Sequence, residues 1–262
     1  MTAKKIWWYR DEGPNTGDLV TPWLFDKFGL EYEFSNNKEF IGAGSIFQRA
    51  NKNTLIWGSG VHKINDIWPW DYDINKVYAV RGKLTYDLLK TDRNIVLGDP
   101  GLLVGAFYKT ATEKKYKCCI LAHYTEYREL SKFARPDFPV YNMMVDGSNP
   151  LEWLLDRISE CECVISTSLH GLVFAHSLGI PAVHLNFTNL YNANAFKFKD
   201  YYSVFNSIQY SPIVFSDINN AVNDMLENPH LFRPDESELK DIQTNLLRVF
   251  PYEISWNKTK AD

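Results

Sequence analysis

The fold is decided by the stretch Cys163-Val164-Ile165-Ser166-Thr167-Ser168-Leu169-His170-Gly171. Its first residues are apolar and β-branched, which favours a buried strand that ends near residue 166. A mainly apolar run continues from residue 169 to 178 and stops at Gly179, which is typical of a buried helix with a glycine at its end. A strand that leads through a short turn into a helix is the repeating unit of a parallel α/β fold.

The turn at residues 166–171 is also the first candidate for chemistry. It places three hydroxyl side chains and the His170 imidazole where a strand ends and a helix begins. Free backbone N–H groups and the helix dipole favour an anion at such a position. The same residues also fit an ordinary hydroxyl-rich N-cap with a buried histidine. The G-x-S-x-G frame is absent, so a nucleophile elbow is not predicted.

The alternation of strand and helix extends to both sides of this turn. Strands are predicted at residues 4–9, 40–41, 54–57, 77–80, 95–97, 118–122, 140–141, 163–166 and 182–185. The first helix is predicted to have Thr21 as its N-cap, Pro22 at its first position and Gly29 at its end. Further helices are predicted at residues 83–90, 125–133, from 150 onward, and at 169–178, 217–227 and 237–250. An aromatic loop is predicted at 186–202.

The periodicity lapses at residues 108–115, which are polar and mark a domain boundary. We therefore predict two α/β domains, residues 1–110 and 111–236, with a closing helix in residues 237–262 that could pack back on the first. A chain of 262 residues, of which 45% are hydrophobic, can supply two cores. Ligands of open parallel sheets bind at the carboxyl ends of the strands, so the predicted site is the cleft between the domains.

Composition excludes several classes of protein. The formal net charge is −4 and neither the first 110 residues nor the rest is strongly basic, so nucleic-acid binding, which needs a clustered cationic face, is not predicted. No apolar run reaches about 18 residues and no signal-type segment opens the chain, which predicts a cytoplasmic protein. The cysteines occur as Cys118-Cys119 and Cys161-x-Cys163 in apolar runs, without metal-ligand spacing. We expect buried reduced thiols and no metal site.

Further side chains could reach the cleft. Arg81, at a strand end before Gly82, could bind a carboxylate or phosphate through two N–H groups, or could lie on the surface. Asn15 and Asp18 lie in the first βα loop, where a capped turn is the alternative. Lys197 offers a cation beside aromatic rings, in a segment that also fits a solvated loop.

Six short motifs, taken in order, resemble those of the polysaccharide pyruvyl transferase family. They are Asn15-x-Gly17-Asp18, Gly42-x-Gly44-Ser45, Trp57-Gly58-Ser59-Gly60, Arg81-Gly82-x-x-Thr85, Gly98-Asp99-Pro100-Gly101-Leu102-Leu103 and Ser166-x-Ser168-Leu169-His170-Gly171. Each motif is weak alone, whereas the ordered set is specific. The most similar subgroup is the ketal-pyruvate transferases that finish exopolysaccharide repeat units. It is indicated by Phe196-Lys197-x-x-Asp200-Tyr201-Tyr202 and by the ending Phe250-Pro251-Tyr252.

The resemblance implies two Rossmann-like domains in a GT-B-like arrangement and the use of phosphoenolpyruvate as a co-substrate, with no cofactor. The pyruvyl group would become a cyclic ketal on two sugar hydroxyls of a bacterial surface or exopolysaccharide repeat unit, with release of phosphate. Acceptors of the family are often lipid-linked oligosaccharides, so peripheral contact with the inner face of the cytoplasmic membrane is a further expectation. Trp68-Pro69-Trp70 is the candidate for that contact, and a core hairpin is the alternative.

The resemblance also implies roles for residues. His170 matches the histidine of the family's Leu-His-Gly step and is the expected acid/base. Arg81 matches the Arg-Gly step and is expected to bind phosphoenolpyruvate. Some branches carry an arginine where this chain has Ser168. We therefore expect Lys197 to supply a second cation, helped by the helix N-terminus after Ser166.

The expected donor site is completed by Ser166, Ser168 and His123. Asn15, Asp18 and Asp99 are expected to face the acceptor, with Asp18 as the candidate base for the attacking hydroxyl. Asp99 could instead only cap a turn.

Two other functions are alternatives, of which the first would share this architecture. A GT-B-type glycosyltransferase would have to bind a nucleotide sugar in the same cleft. A non-catalytic carbohydrate-binding protein would have no reason to keep both Arg81 and His170.

Overall fold

The chain builds two parallel β-sheets in succession. The computed structural model describes residues 3–10, 13–63, 71–109, 113–188 and 195–254. Within these ranges the first sheet consists of β1 (Lys4–Trp7), β2 (Tyr32–Phe34), β3 (Phe40–Ile41), β4 (Leu55–Ser59), β5 (Val77–Val80) and β6 (Val96–Leu97). The second consists of β7 (Tyr116–Ala122), β8 (Val140–Asn142), β9 (Cys161–Ser166) and β10 (Ala182–His184).

The strand orders are those of open parallel sheets. They are β2-β1-β3-β4-β5-β6 in the first sheet and β10-β9-β7-β8 in the second, and every strand pairing within them is parallel. The prediction of a parallel, Rossmann-like α/β fold is confirmed. The predicted boundary at residues 108–115 includes residues 110–112, which lie outside the described ranges.

Helices connect the strands and cover the sheets. Those in the described ranges are α1 (Val20–Lys27), α2 (Lys83–Leu88), α3 (Val104–Phe107), α4 (Tyr124–Leu130), α5 (Pro150–Ser159), α6 (Leu169–Ser177), α7 (Ala195–Tyr202), α8 (Ile218–Glu227) and α9 (Glu236–Arg248). None of them is long and apolar enough to cross a membrane.

Helix α6 is buried along its whole length and contacts both halves of the chain. All of its residues are buried, as expected for a helix that is mainly apolar on every face. It packs on β9 and β10 of the second sheet and on α3 and the 3-10 turn Pro100–Leu103 from the first half. A Cβ at Gly105 would lie 1.9 Å from the carbonyl oxygen of Ser177, so this close approach requires glycine.

Helix α9 packs on the first sheet. The indole Nε1 of Trp57 donates a hydrogen bond of 3.0 Å to the carbonyl oxygen of Leu246. The ring of Phe250 lies 4.7 Å from that of Trp57 and 4.9 Å from that of Phe28. Edge-to-face ring packing of this kind adds to the stability of a buried cluster. The remainder of the predicted closing segment, residues 255–262, lies outside the described ranges.

In the first half, one local prediction was wrong and one strand was not predicted. Helix α1 begins at Val20, and Thr21 is not its cap, because Thr21 Oγ1 accepts a hydrogen bond of 3.0 Å from the backbone N–H of Ala43. Strand β2 was not predicted because it is a short edge strand whose residues are intermediate or exposed and lack a buried face.

A third correction concerns the predicted loop at residues 186–202. Residues 195–202 form helix α7, and Phe198, Asp200, Tyr201 and Tyr202 are buried in it. The segment has weak local helix signals, so packing of its aromatic side chains stabilises the helix.

Two remaining predictions concern the thiols and the tryptophans. The four cysteines are buried free thiols, as predicted, and burial raises the pKa of Cys118 well above its usual value. Trp68-Pro69-Trp70 lies outside the described residues.

Candidate active site

A pocket of about 340 Å³ lies at the carboxyl ends of strands from both sheets. Its walls come from the loops that follow β1, β3, β4, β7 and β9 and from helix α7. This is the edge at which open parallel α/β sheets bind ligands, and the volume falls in the usual range of small-molecule sites. The pocket therefore lies at the carboxyl ends of the strands, where a ligand was expected.

The structure brings six of the nine predicted site residues to this pocket. They are Asn15, Asp18, His123, Ser168, His170 and Lys197. The other three, Arg81, Asp99 and Ser166, are fully buried behind its wall. This division separates side chains that can touch a ligand from side chains that can only act through a neighbour.

Ser166 shapes the turn that begins α6. Its hydroxyl lies 2.9 Å from the carbonyl oxygens of Leu121 and Ser168 and accepts a hydrogen bond of 3.0 Å from the Ser168 N–H. A Cβ at Gly171 would lie 2.2 Å from this hydroxyl, which explains the glycine of the motif. Thr167 Oγ1 accepts a hydrogen bond of 2.9 Å from the His123 N–H and so ties the loops after β7 and β9 together.

Ser168 is the N-cap residue of α6, yet its side chain makes no capping hydrogen bond. Ser168 lines the pocket at the positive end of the helix dipole. Within the turn, Ser166 is therefore structural, whereas Ser168 lines the pocket.

His170 lies between the pocket and a buried carboxylate. Its Nε2 is 3.8 Å from Oδ2 of Asp99, and both atoms are buried without a hydrogen-bond partner. Asp99 Oδ1 accepts a hydrogen bond of 2.8 Å from the Gly101 N–H, which fixes the carboxylate. On the other side of the ring, a Cβ at Gly17 would lie 2.3 Å from Nδ1. Asp99 therefore caps a turn, as one sequence alternative held, and also faces the imidazole.

The charges around His170 act on its protonation. Burial lowers the pKa of His170, the Asp99 carboxylate opposes that change, and the charges of Arg81 and Lys197 add to it. Burial likewise lowers the pKa of His123 to about 4, with a contribution from the Lys197 charge. Both imidazoles are therefore neutral at neutral pH.

The charge of Lys197 acts on both of these histidines. Burial, together with the Arg81 charge, lowers the pKa of Lys197 to about 8, while Glu126 and Asp18 act in the opposite direction. The ammonium nitrogen lies 5.2 Å from the centre of the Phe198 ring. At neutral pH the side chain still carries its charge in most molecules, so it can attract an anion.

Arg81 takes no part in the pocket surface. It is 0% exposed, and its three guanidinium nitrogens donate to Asp200 Oδ2 at 3.0 Å, Ser45 Oγ at 2.6 Å and the carbonyl oxygen of Val61 at 2.6 Å. Of these partners, Ser45 lines the pocket.

Several lining residues were not predicted from sequence. They are Tyr9, Gln48, Arg49, His62 and Tyr124. Arg49 is exposed at the rim and adds a cation. Two of them could have been predicted to lie near the site, because Arg49 and His62 closely follow the glycine-containing turns at the ends of strands β3 and β4. No group of three or more potential metal ligands occurs among the described residues.

Comparisons with known proteins identify the family. The family model for polysaccharide pyruvyl transferase matches residues 17–189. Uncharacterized protein L143 of Acanthamoeba polyphaga mimivirus is 33% identical over 178 residues, which cover 64% of this chain. The aligned part spans 61% of that relative's length. The crystal structure of a functionally uncharacterized Klebsiella pneumoniae protein aligns with 81% of this chain and 93% of its own, at 16% identity and a TM-score of 0.44.

The family match includes Asp18, Arg81, Asp99 and the whole turn at residues 166–171, whereas Asn15 and Lys197 lie outside it. It extends over about two thirds of the chain. The chain therefore belongs to the polysaccharide pyruvyl transferase family.

Proposed function

We propose that this protein transfers the pyruvyl group of phosphoenolpyruvate to two hydroxyls of a sugar, forming a cyclic ketal and releasing phosphate. One observation carries the proposal: His170 stands between a cationic pocket and the buried carboxylate of Asp99. The reaction needs a proton donor beside a polyanionic donor substrate, and this arrangement supplies both.

The donor is an anion with a carboxylate and a phosphate, and the pocket offers matching cations. Lys197 and Arg49 are the Lys and Arg side chains among its described lining residues. The N-terminus of α6 and the Ser168 hydroxyl add hydrogen-bond donors at the same end. We assign Arg49 to the role that the sequence suggested for Arg81, because Arg81 has no surface in the pocket.

His170 would provide the proton for the methylene carbon of the donor. A negatively charged ligand beside a neutral imidazole raises its pKa, so binding of phosphoenolpyruvate would promote protonation of the ring. Asp99 stabilises the imidazolium through Nε2, which leaves Nδ1 as the nitrogen that exchanges the proton. Protonation of the methylene carbon converts it into the methyl group and gives C2 oxocarbenium character.

Two hydroxyl additions complete the ketal. The first sugar hydroxyl bonds to C2 and loses its proton to Asp18, which lines the pocket. Phosphate then leaves with the electrons of its C–O bond, and the second hydroxyl attacks C2. The proton on Asp18 leaves with phosphate, and the proton of the second hydroxyl replaces the one that His170 gave.

Asn15 would orient the acceptor on the Asp18 side. Its Oδ1 accepts a hydrogen bond of 3.0 Å from the Gly17 N–H, so the amide NH₂ is the group that can donate to a sugar hydroxyl. Two parallel sheets around one pocket support a GT-B-like arrangement of two domains. As finer parts of the proposal, we place the protein among the ketal-pyruvate transferases and take the acceptor to be a lipid-linked oligosaccharide.

The test is incubation with phosphoenolpyruvate and bacterial lipid-linked oligosaccharides, followed by phosphate assay and mass spectrometry of the products. We expect phosphate release to require both substrates and to match the amount of pyruvylated product. Thermal stabilisation by UDP-sugars, with none by phosphoenolpyruvate, would instead indicate a nucleotide-sugar glycosyltransferase and contradict the proposal. A ligand at 100 times its Kd stabilises a protein by about 2.7 kcal/mol, which a melting curve detects.

A further inference from the structure

Arg81 and Asp200 form a buried ion pair between the two halves of the chain. Both side chains are 0% exposed, and Nε lies 3.0 Å from Oδ2. Arg81 follows β5 of the first sheet, whereas Asp200 belongs to α7, which follows the second sheet. A buried ion pair is stable only when its other polar atoms also have partners.

Each charged atom of the pair has such a partner. Asp200 Oδ1 accepts a hydrogen bond of 2.8 Å from the Thr85 N–H, and Oδ2 accepts one of 2.6 Å from Thr85 Oγ1. The two remaining guanidinium nitrogens of Arg81 donate to Ser45 and Val61. The charged atoms of the pair therefore need no hydrogen bond from a ligand.

Two glycines allow the pair to form. A Cβ at Gly60 would lie 2.3 Å from Cζ of Arg81, and a Cβ at Gly82 would lie 1.7 Å from the carbonyl oxygen of Asp200. Any other residue at Gly82 would push α7 away from the first sheet. The sequence motifs that contain Gly60, Arg81, Gly82 and Thr85 thus all contribute to the Arg81–Asp200 ion pair.

The pair contacts two walls of the pocket. Lys197 lies three residues before Asp200 on α7, so both side chains project from the same face of the helix. Lys197 and Ser45 both line the pocket. Asp200 positions Lys197 through helix α7, and Arg81 positions Ser45 through its hydrogen bond to the Ser45 hydroxyl.

We infer that Arg81 and Asp200 are positioning residues that dock α7 so that Lys197 stands in the pocket, and that neither touches the donor. The inference rests on the proposed function for the identity of the donor as phosphoenolpyruvate. The docking geometry itself does not depend on that identity.

The test is a double-mutant cycle with phosphoenolpyruvate binding measured by calorimetry. Asp200→Asn removes the charge of the carboxylate while keeping its shape. We expect it to weaken binding on the order of tenfold, because small displacements of a binding group are costly. In a Lys197→Ala background the same change should have less than about a twofold effect. Equal effects in the two backgrounds would overturn the inference.

Two further variants keep the test independent of folding. Thr85→Val removes one hydroxyl from Asp200 without changing a charge, and should weaken binding in the same direction by a smaller factor. Lys83→Ala is the matched control on α2, because the Lys83 side chain pairs with Asp87 on the surface. It should bind the donor as the wild type does.

Hydrogen exchange separates this inference from the proposed function. In the absence of any substrate, Asp200→Asn and Thr85→Val should accelerate amide exchange in residues 195–202 and leave α9 unchanged. Unchanged exchange in residues 195–202 would overturn the docking role. A wild-type protein that fails to bind phosphoenolpyruvate while the variants show this exchange pattern would reject the proposed function alone.

Discussion

Helix α6 has a buried histidine near each end, and the two histidines differ in their hydrogen bonding. His176, near the end of the helix, has both ring nitrogens occupied, at 2.9 Å from the Tyr201 hydroxyl and 3.1 Å from the carbonyl oxygen of Phe232. His170, near its beginning, has a buried Nε2 without a partner, which faces the equally unpartnered Oδ2 of Asp99. A buried polar atom without a hydrogen bond costs about 1–3 kcal/mol. The unpaired atoms at His170 therefore indicate a functional role, whereas the hydrogen bonds of His176 indicate a structural one.

The pKa values of the two histidines respond to different causes. Burial lowers the pKa of His176 to about 4, against the opposing effect of nearby backbone carbonyl groups. Burial also lowers the pKa of His170, but charged side chains act on it as well. The protonation of His170 can therefore follow a charge that enters the pocket, whereas that of His176 cannot.

The largest expected effect is the loss of transfer in His170→Gln. Removal of the proton donor should lower the rate of phosphate release by about 10²–10⁴-fold, the usual contribution of a general acid. His176→Gln is the matched control and should keep its rate per folded molecule. A His170→Gln rate within about tenfold of the wild type would remove His170 from the proton transfer.

The next effect tests whether Asp99 acts through His170. Asp99→Asn keeps a side-chain oxygen for the Gly101 N–H but removes the charge that favours the imidazolium. We expect the rate to fall on the order of tenfold or more. Asp99 raises the pKa of His170, so its loss should move the alkaline limb of the rate profile toward lower pH. A lower rate with an unmoved limb would leave Asp99 with a structural role only.

A smaller effect concerns stability, for which we expect the substitution of His176 to have a larger effect than that of His170. His176→Gln cannot reproduce both ring hydrogen bonds, so we expect a loss of about 1–3 kcal/mol in the free energy of unfolding. His170→Gln removes no hydrogen bond and should lose less. Urea denaturation of both variants gives the comparison. A larger loss at position 170 would show that the first end of α6 is the structural one.

Sequence alone predicted much of this region because its signals are local. The strand, turn and helix around Ser166 follow from apolar periodicity and from Gly179, and that turn brought His170 and Ser168 to the pocket. The helix at Lys197 could not be predicted, since its stability depends on aromatic packing against distant parts of the chain.

The roles of Arg81 and Asp99 could not be predicted from sequence, because each depends on a partner that is distant along the chain. An arginine before a glycine at a strand end fits a ligand-binding role and a buried ion pair equally well. The choice depends on Asp200, which lies 119 residues away. Asp99 presented the same difficulty, because its capping pattern is local while its approach to His170 requires the two halves to pack.

The smallest effect we expect is a change in how stability depends on pH. His176 stays neutral in the folded protein down to about pH 4, whereas in the unfolded chain it takes up a proton near pH 6.5. Between these values the unfolded state binds more protons, so the contribution of His176 to stability is complete above pH 6.5 and falls as the pH decreases. His176→Gln should reduce this fall by about 1 kcal/mol for each pH unit between 6.5 and 5. His123 and His184, whose pKa values burial lowers to about 4 and about 3, should maintain the remaining slope. Urea denaturation at several pH values measures it, and a variant with the wild-type slope would show that His176 is not held neutral by the fold.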